Sequence, residues 1–145
     1  MMELVKVDSV LEILNMLIEF EEIFPHLKEK ISGYEEYANK LSEFAYVYKA
    51  VKRDKTFGII VFYANDFSNK IAYISLIGVK KEFQRMKLGT WLLEECIKMG
   101  KKYGMERMKL EVDTDNIKAI RFYEKNLFCK TEAASLSSMY MERKI

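Results

Sequence analysis

The chain begins with a short alternation, ELVKV at residues 3–7, which predicts a strand. Ser9 and Glu12 then form a capping-box pattern, and Val10, Ile13, Leu14, Leu17 and Ile18 follow as one apolar helical face. Pro25 interrupts this region, and a second box pattern at Ser32 and Glu35 predicts a helix carrying Tyr34, Tyr37, Ala38 and Leu41. Residues 44–51 and 57–64 are rich in aromatic and β-branched side chains and are separated by the charged turn RDK, a hairpin signal. After Asp66–Asn69 comes a third run, IAYISLIGV at 71–79, so three consecutive strands are expected as an antiparallel meander. Leu88, Leu92, Cys96 and Met99, flanked by Leu93 and Ile97, then recur at helical spacing until Gly104 ends the pattern. Alternation returns at 107–112, with Met108, Leu110 and Val112 on one face. A helix from about Asn116 to Lys125 and strands near 128–131 and 136–143 complete the chain.

This order is that of an α+β or α/β domain with a mixed sheet, in which the strand at 71–79, the long helix and the strand at 107–112 make a βαβ unit. The 145 residues contain one proline and no repeated or low-complexity stretch, so residues 1–145 are expected to form a single domain. With 24 Lys and Arg against 22 Asp and Glu, the charge selects no polyanionic partner. The densest basic group, Lys98, Lys101, Lys102, Arg107 and Lys109, is broken by Glu106, and no nucleic-acid partner is expected. Cys96 and Cys129 form no CxxC, and there is one histidine, so neither a disulfide framework nor a metal site is expected; both cysteines are read as reduced core thiols. Charges punctuate the N-terminal stretch, and no uncharged run approaches the ~18 residues of a membrane span. The expectation is a soluble, cytoplasmic protein with no membrane partner.

The segment with chemical content is Val79–Leu93, VKKEFQRMKLGTWLL, where a buried strand passes through a basic loop into a helix. Such a junction turns unpaired backbone N–H groups and the positive helix end toward an anion and suits a pyrophosphate. This segment resembles the acyl-CoA-binding motif of the GNAT superfamily, written Q or R, x, x, G, x, then G or A, matched here by Gln84, Arg85, Met86, Lys87, Leu88 and Gly89. The resemblance continues in NIKAIRFYEKNLF through Asn116, Ala119, Phe122, Tyr123, Lys125 and Phe128, with LEV at Leu110–Val112 before it. Together these cover roughly residues 71–130. Lys87 stands where the family usually has its first loop glycine, and Leu127 where it usually has the glycine before the aromatic residue. Asn126, which tolerates a left-handed helix end, is expected to take the terminating role, leaving Leu127 in an ordinary, packed conformation. The Lys87 side chain either crowds the pyrophosphate or adds a cation beside it.

The resemblance implies a mixed, largely antiparallel sheet flanked by helices, with splayed central strands forming a wedge for acetyl-CoA, the cosubstrate. It implies N-acetyl transfer to a primary amine of a small molecule or peptide by direct attack, and no metal. Backbone groups at Leu76, Ile77 and Val79 would hold pantetheine; Gln84, Arg85, Met86, Lys87, Leu88, Gly89 and Thr90 would hold the pyrophosphate. Asn116 and Tyr123 would also touch CoA, with Tyr123 as general acid and Glu111 as base through water. Each has a plainer reading: Tyr123 as a helix aromatic beside Ile120, Glu111 as a solvated strand residue beside Lys109, Asn116 as a helix start and Trp91 as core. His26 could face the acceptor or simply the solvent, and Tyr34, Tyr37, Tyr46, Tyr48, Tyr63 and Tyr73 could wall a cleft or pack in the core. A homodimer is left open. The alternative function is a non-catalytic GNAT-like module that binds acyl-CoA or a partner.

Overall fold

The computed structural model describes residues 1–145. The elements run β1 (Met2–Lys6), α1 (Val10–Glu19), α2 (Leu27–Lys30), α3 (Tyr34–Phe44), β2 (Tyr46–Lys52), β3 (Lys55–Asp66), β4 (Ile71–Val79), α4 (Leu88–Lys102), β5 (Arg107–Asp113), α5 (Ile117–Lys125), β6 (Cys129–Ala133) and β7 (Ser138–Lys144). The seven strands form one mixed sheet in the order β1-β2-β3-β4-β5-β7-β6. The chain gathers into two compact units, one of residues 1–62 and 76–94 and the other of residues 63–75 and 95–145, with β3, β4 and α4 each contributing to both.

In the first unit, β1 pairs antiparallel with β2, and β2 with β3, with a bulge between Ala50 and Val51. Phe57–Phe62 are buried without interruption, as expected of a strand covered on both faces. The Ser9 box forms: Ser9 Oγ accepts the Glu12 N–H at 3.1 Å and donates to Glu12 Oε1 at 3.0 Å. The buried face of α1 is Ile13, Met16 and Leu17, continued by Phe20, and α1 packs against α3 through Ala38 and Leu41 of the latter. Ile18, expected on that face, is instead exposed. The box expected at Ser32 does not form either. Helix α3 starts one residue later, with Gly33 as its cap: its C=O accepts the Tyr37 N–H at 3.0 Å as the first bond of the helix, and glycine has no side chain to make a capping bond. The four-residue α2 buries nothing, so it has no apolar periodicity to betray it.

In the second unit, β4 and β5 pair in parallel over Ile71–Ile74 and Arg107–Leu110, the pairing that a crossover through α4 requires. Both strands run on past the last of these pairs, β4 to Val79 and β5 to Asp113. β5 pairs antiparallel with β7 along its length, and β7 with β6. Met108, Leu110 and Val112 are buried together with Met105, Phe128 and Met141. Cys96 is buried, as read from its helical spacing, but Cys129 is exposed on β6, a strand none of whose residues is buried. Alternation alone did not show that this strand ends the sheet. No helix is long and apolar enough to cross a membrane, and no group of three or more His, Cys, Asp or Glu side chains is placed to hold a metal ion.

Candidate active site

In the first unit the expected anion-binding segment is a folded turn and not a direct passage from strand to helix. Leu76 and Val79 are buried near the end of β4, with Ile77 half-buried between them. A 3-10 turn over Lys81–Phe83 follows, and the Gln84 amide closes it back onto the strand by donating to Val79 C=O at 2.9 Å. Lys80 N–H donates to Phe57 C=O at 2.8 Å. Beneath the loop, Phe57 meets both Phe83 and Trp91 with ring centroids 6.0 Å apart, so Trp91 is a half-buried support of the turn.

The backbone then enters the left-handed region twice, at Arg85 (φ 68°) and Lys87 (φ 59°), before α4 begins with the buried Leu88. Trp91 N–H donates to Lys87 C=O at 3.2 Å, so the first turn of α4 hangs from Lys87. The N–H groups of Leu88, Gly89 and Thr90 therefore belong to a helix start, where no intrahelical carbonyl is available to them. Lys87 takes a left-handed backbone of the kind that favours glycine, at the cost of about 1 kcal/mol that a left-handed Cβ imposes. Its ammonium and the Arg85 guanidinium are exposed at the loop. Positive helix end, left-handed turn and two cations together favour a phosphorylated anion.

The same unit holds Gly78 in close contact: a Cβ there would meet Ile23 and Phe24 at 2.7 Å, so the segment between α1 and α2 lies directly on β4. The sequence signal for this contact was the single glycine inside a strand pattern. His26 is exposed, with Nδ1 3.5 Å from Glu29 Oε2, which fits its surface reading. Tyr34 donates to Glu21 Oε1 at 3.4 Å, and Lys28 pairs with the same carboxylate, which lies below its usual range because of that lysine. Tyr46 stacks on Phe62 with centroids 5.2 Å apart. All six tyrosines named as cleft candidates are half-buried.

The second unit carries Glu111, Asn116 and Tyr123. Asn116 caps α5, its side chain accepting the Ala119 N–H at 3.2 Å, so the helix-start reading holds. Tyr123 lies one turn from the helix end, half-buried, with its ring 5.4 Å from that of Phe122 and 5.7 Å from that of Phe128. Burial of its phenol pushes the pKa up to about 12, with the neighbouring Cys96 thiol adding to the rise. A phenol shifted in this way stays protonated at physiological pH, and the same shift makes it a weaker acid than a free tyrosine. The Cys96 thiol is itself raised by burial, so it is no nucleophile.

The end of α5 corrects the expectation for its last residues. Asn126 keeps negative φ (−99°), and Leu127 is the left-handed residue, with φ 72° and 69% of its surface exposed. Phe128 N–H donates to Tyr123 C=O at 3.0 Å and Leu127 N–H to Glu124 C=O at 3.1 Å, the two bonds of a Schellman motif. Asn126 serves it otherwise: its side-chain amide donates to Phe122 C=O at 2.8 Å, and its carbonyl accepts from Arg143 at 3.0 Å.

Glu111 is exposed on β5, and Ser138 Oγ donates to its Oε2 at 2.6 Å. Ser138 is only 3% exposed, and sequence reading missed it, because a serine in the run SLSS carries no signal until pairing places it opposite Asp113.

Residues 10–127 match the family model described as Acetyltransferase (GNAT) family. The chain belongs to the GNAT family. Solved structures with the GNAT fold agree. PaiA N-acetyltransferase from Thermoplasma acidophilum, in complex with coenzyme A, is 24% identical with TM-score 0.77, covering 100% of this chain and 99% of that one. The ribosomal-protein-alanine N-acetyltransferase of Escherichia coli is 19% identical with TM-score 0.75, covering 100% and 94%. An IAA acetyltransferase from Bacillus cereus is 14% identical with TM-score 0.75, covering 100% of both chains. At these identities the likeness is one of fold. Among proteins of curated function, none matches this chain.

Proposed function

We propose that residues 1–145 work as one N-acetyltransferase domain that moves an acetyl group from acetyl-CoA to a primary amine of a small molecule or peptide. The observation that supports this reading is the left-handed backbone at Lys87 immediately before α4, a conformation that favours glycine, set where helix-start N–H groups can meet a phosphate. The residues at hand fit acetyl-CoA. Gln84 to Thr90 would hold the pyrophosphate through backbone N–H groups, with the cations of Arg85 and Lys87 beside it. The backbone of Leu76, Ile77 and Val79 would take pantetheine as an added strand is taken, and a backbone N–H there would stabilise the oxyanion. Asn116 would touch CoA from the start of α5.

In the reaction the amine nitrogen attacks the thioester carbonyl, the C–S bond breaks, and the thiolate leaves with the electron pair. Glu111 would take the proton released from the substrate ammonium through water, and Tyr123, a neutral phenol, would supply one to the thiolate. The coenzyme A bound to the Thermoplasma protein supports the choice of cosubstrate. The alternative, a non-catalytic module, drew on the missing glycines at 87 and 127. Both positions keep a glycine-like backbone, so the alternative loses most of that support.

The first experiment is a thermal shift with CoA and acetyl-CoA, followed by thiol release against a panel of primary amines and short peptides. Acetyl-CoA at ~100 times its dissociation constant should stabilise the fold by ~2.7 kcal/mol. No shift and no heat at millimolar acetyl-CoA would sink the reading.

A further inference from the structure

The turn between β6 and β7 holds a chain of hydrogen bonds whose direction chemistry fixes. An ionised Glu111 can only accept, so Ser138 Oγ spends its one hydrogen on Glu111 Oε2 at 2.6 Å. The contact between Ser135 Oγ and Ser138 Oγ at 2.8 Å must then run from Ser135 to Ser138. Ser135 Oγ in turn accepts the Ser137 N–H at 3.2 Å. Each donor in the series polarises the next, which strengthens the last bond, the short one to the carboxylate.

The scaffold beneath this series is tight. Ser138 C=O accepts from the N–H groups of Ala134 and Ser135 at 3.0 and 3.2 Å, and Ser137 C=O accepts from Thr114 N–H and Oγ1 at 2.9 and 3.1 Å. Ser138 is buried, whereas Glu111 and Ser135 are exposed. An exposed glutamate ordinarily samples several rotamers. Here one oxygen is fastened by a buried hydroxyl, so Oε1 is the atom left to meet a substrate ammonium or a bridging water. The charged and titratable groups around Glu111 are Lys109 and Asp113 on β5 and Tyr140 and Glu142 on β7, and Lys109 is already drawn 4.2 Å over the Tyr140 ring.

We propose that Ser138 is a positioning residue for the acetyl-transfer reaction, fixing the Glu111 carboxylate in one orientation with Ser135 as the donor behind it. This rests on the reading of Glu111 as the base. Ser138 itself touches no substrate.

The test is a double-mutant cycle on turnover with the fastest amine of the panel at saturating acetyl-CoA. Ser138→Ala should lower kcat about tenfold, since misplacing a reacting group by a fraction of an ångström has that scale of effect. The KM for acetyl-CoA should not change. Ser135→Ala, at an exposed position where folding is safe, should lower kcat about threefold through the weakened donor. In a Glu111→Gln background neither serine substitution should cost anything more. The same tenfold loss in that background would overturn the inference, because a serine that merely braces the turn acts whether or not the carboxylate is present. Unchanged kcat in both serine variants would overturn it as well. If Glu111→Gln alone leaves turnover at the wild-type value, or no amine is turned over, the reading of Glu111 fails first and the inference falls with it.

Discussion

Helices α4 and α5 leave their last turns through the same pair of hydrogen bonds but with opposite choices of residue. At the end of α4, Met105 N–H donates to Gly100 C=O at 2.9 Å and Gly104 N–H to Lys101 C=O at 3.0 Å, with Gly104 at φ 85°. At the end of α5 the corresponding bonds close around Leu127 at φ 72°. A Cβ on Gly104 would meet nothing within 4 Å, so the glycine there answers only to backbone conformation. Leu127 has no such freedom, and its exposed side chain offers little burial in return. What differs is the residue one turn back. Gly100 has no side chain to pack on Met105, whereas Tyr123 and Phe128 meet ring to ring. The α5 exit is held by aromatic packing and by Arg143 on Asn126 C=O, and these override a local preference worth about 1 kcal/mol.

The change with the largest expected effect separates the hydroxyl of Tyr123 from the ring that holds the cap. Tyr123→Phe should reduce turnover by ~100-fold while acetyl-CoA affinity and melting temperature near pH 7 stay close to wild type. Turnover within about threefold would return Tyr123 to a packing role alone. The pH dependence has a definite sign. The folded value of about 12 lies above the ordinary 10.0, so the native state keeps a proton that the unfolded chain loses. That contribution is complete below pH 10 and disappears as pH rises through about 12, so the wild type should lose stability faster than Tyr123→Phe across this window. The alkaline limb of the wild-type rate profile below that window therefore belongs to other groups.

The next changes exchange the two exits. Gly104→Leu should destabilise by about 1 kcal/mol, the price of a left-handed Cβ in open space. Lys87→Gly makes the same exchange at a helix start, where the lost cation should weaken acetyl-CoA binding about fivefold and flatten its salt dependence. Tighter binding with an unchanged salt slope would mean that the lysine obstructs. Leu127→Gly should be the smallest effect, a gain of about 0.5 kcal/mol, because relief of the left-handed leucine is partly offset by the entropy of an unfolded glycine. A loss in melting temperature there would show that Leu127 packs in solution after all.

Most of the architecture was legible because its determinants are local and periodic. The Ser9 box, the α4 face and the alternation of β5 each name their own element. The α5 cap was misread by one residue because asparagine's intrinsic tolerance pointed to Asn126, while the Tyr123–Phe128 contact that shifts the left-handed position to Leu127 is not visible in propensity. The loop at 80–87 was legible as a place but not as a shape. A 3-10 turn of three residues closed by a glutamine side chain has no periodicity to show. Ser138 was invisible for a further reason: its importance depends on the register of β7 against β5, a long-range pairing that no local pattern encodes.

The bond from Phe128 N–H to Tyr123 C=O ties the height of the phenol along the helix axis to the integrity of the last turn. Fraying of that turn would release the ring contact and the capping bond in one event, well before the sheet beneath it melts. On the proposal that Tyr123 is the general acid, the thermal ceiling for turnover should be set by the end of a nine-residue helix and lie below the temperature at which the protein unfolds. Hydrogen exchange at the single amide of Phe128 reads that ceiling directly.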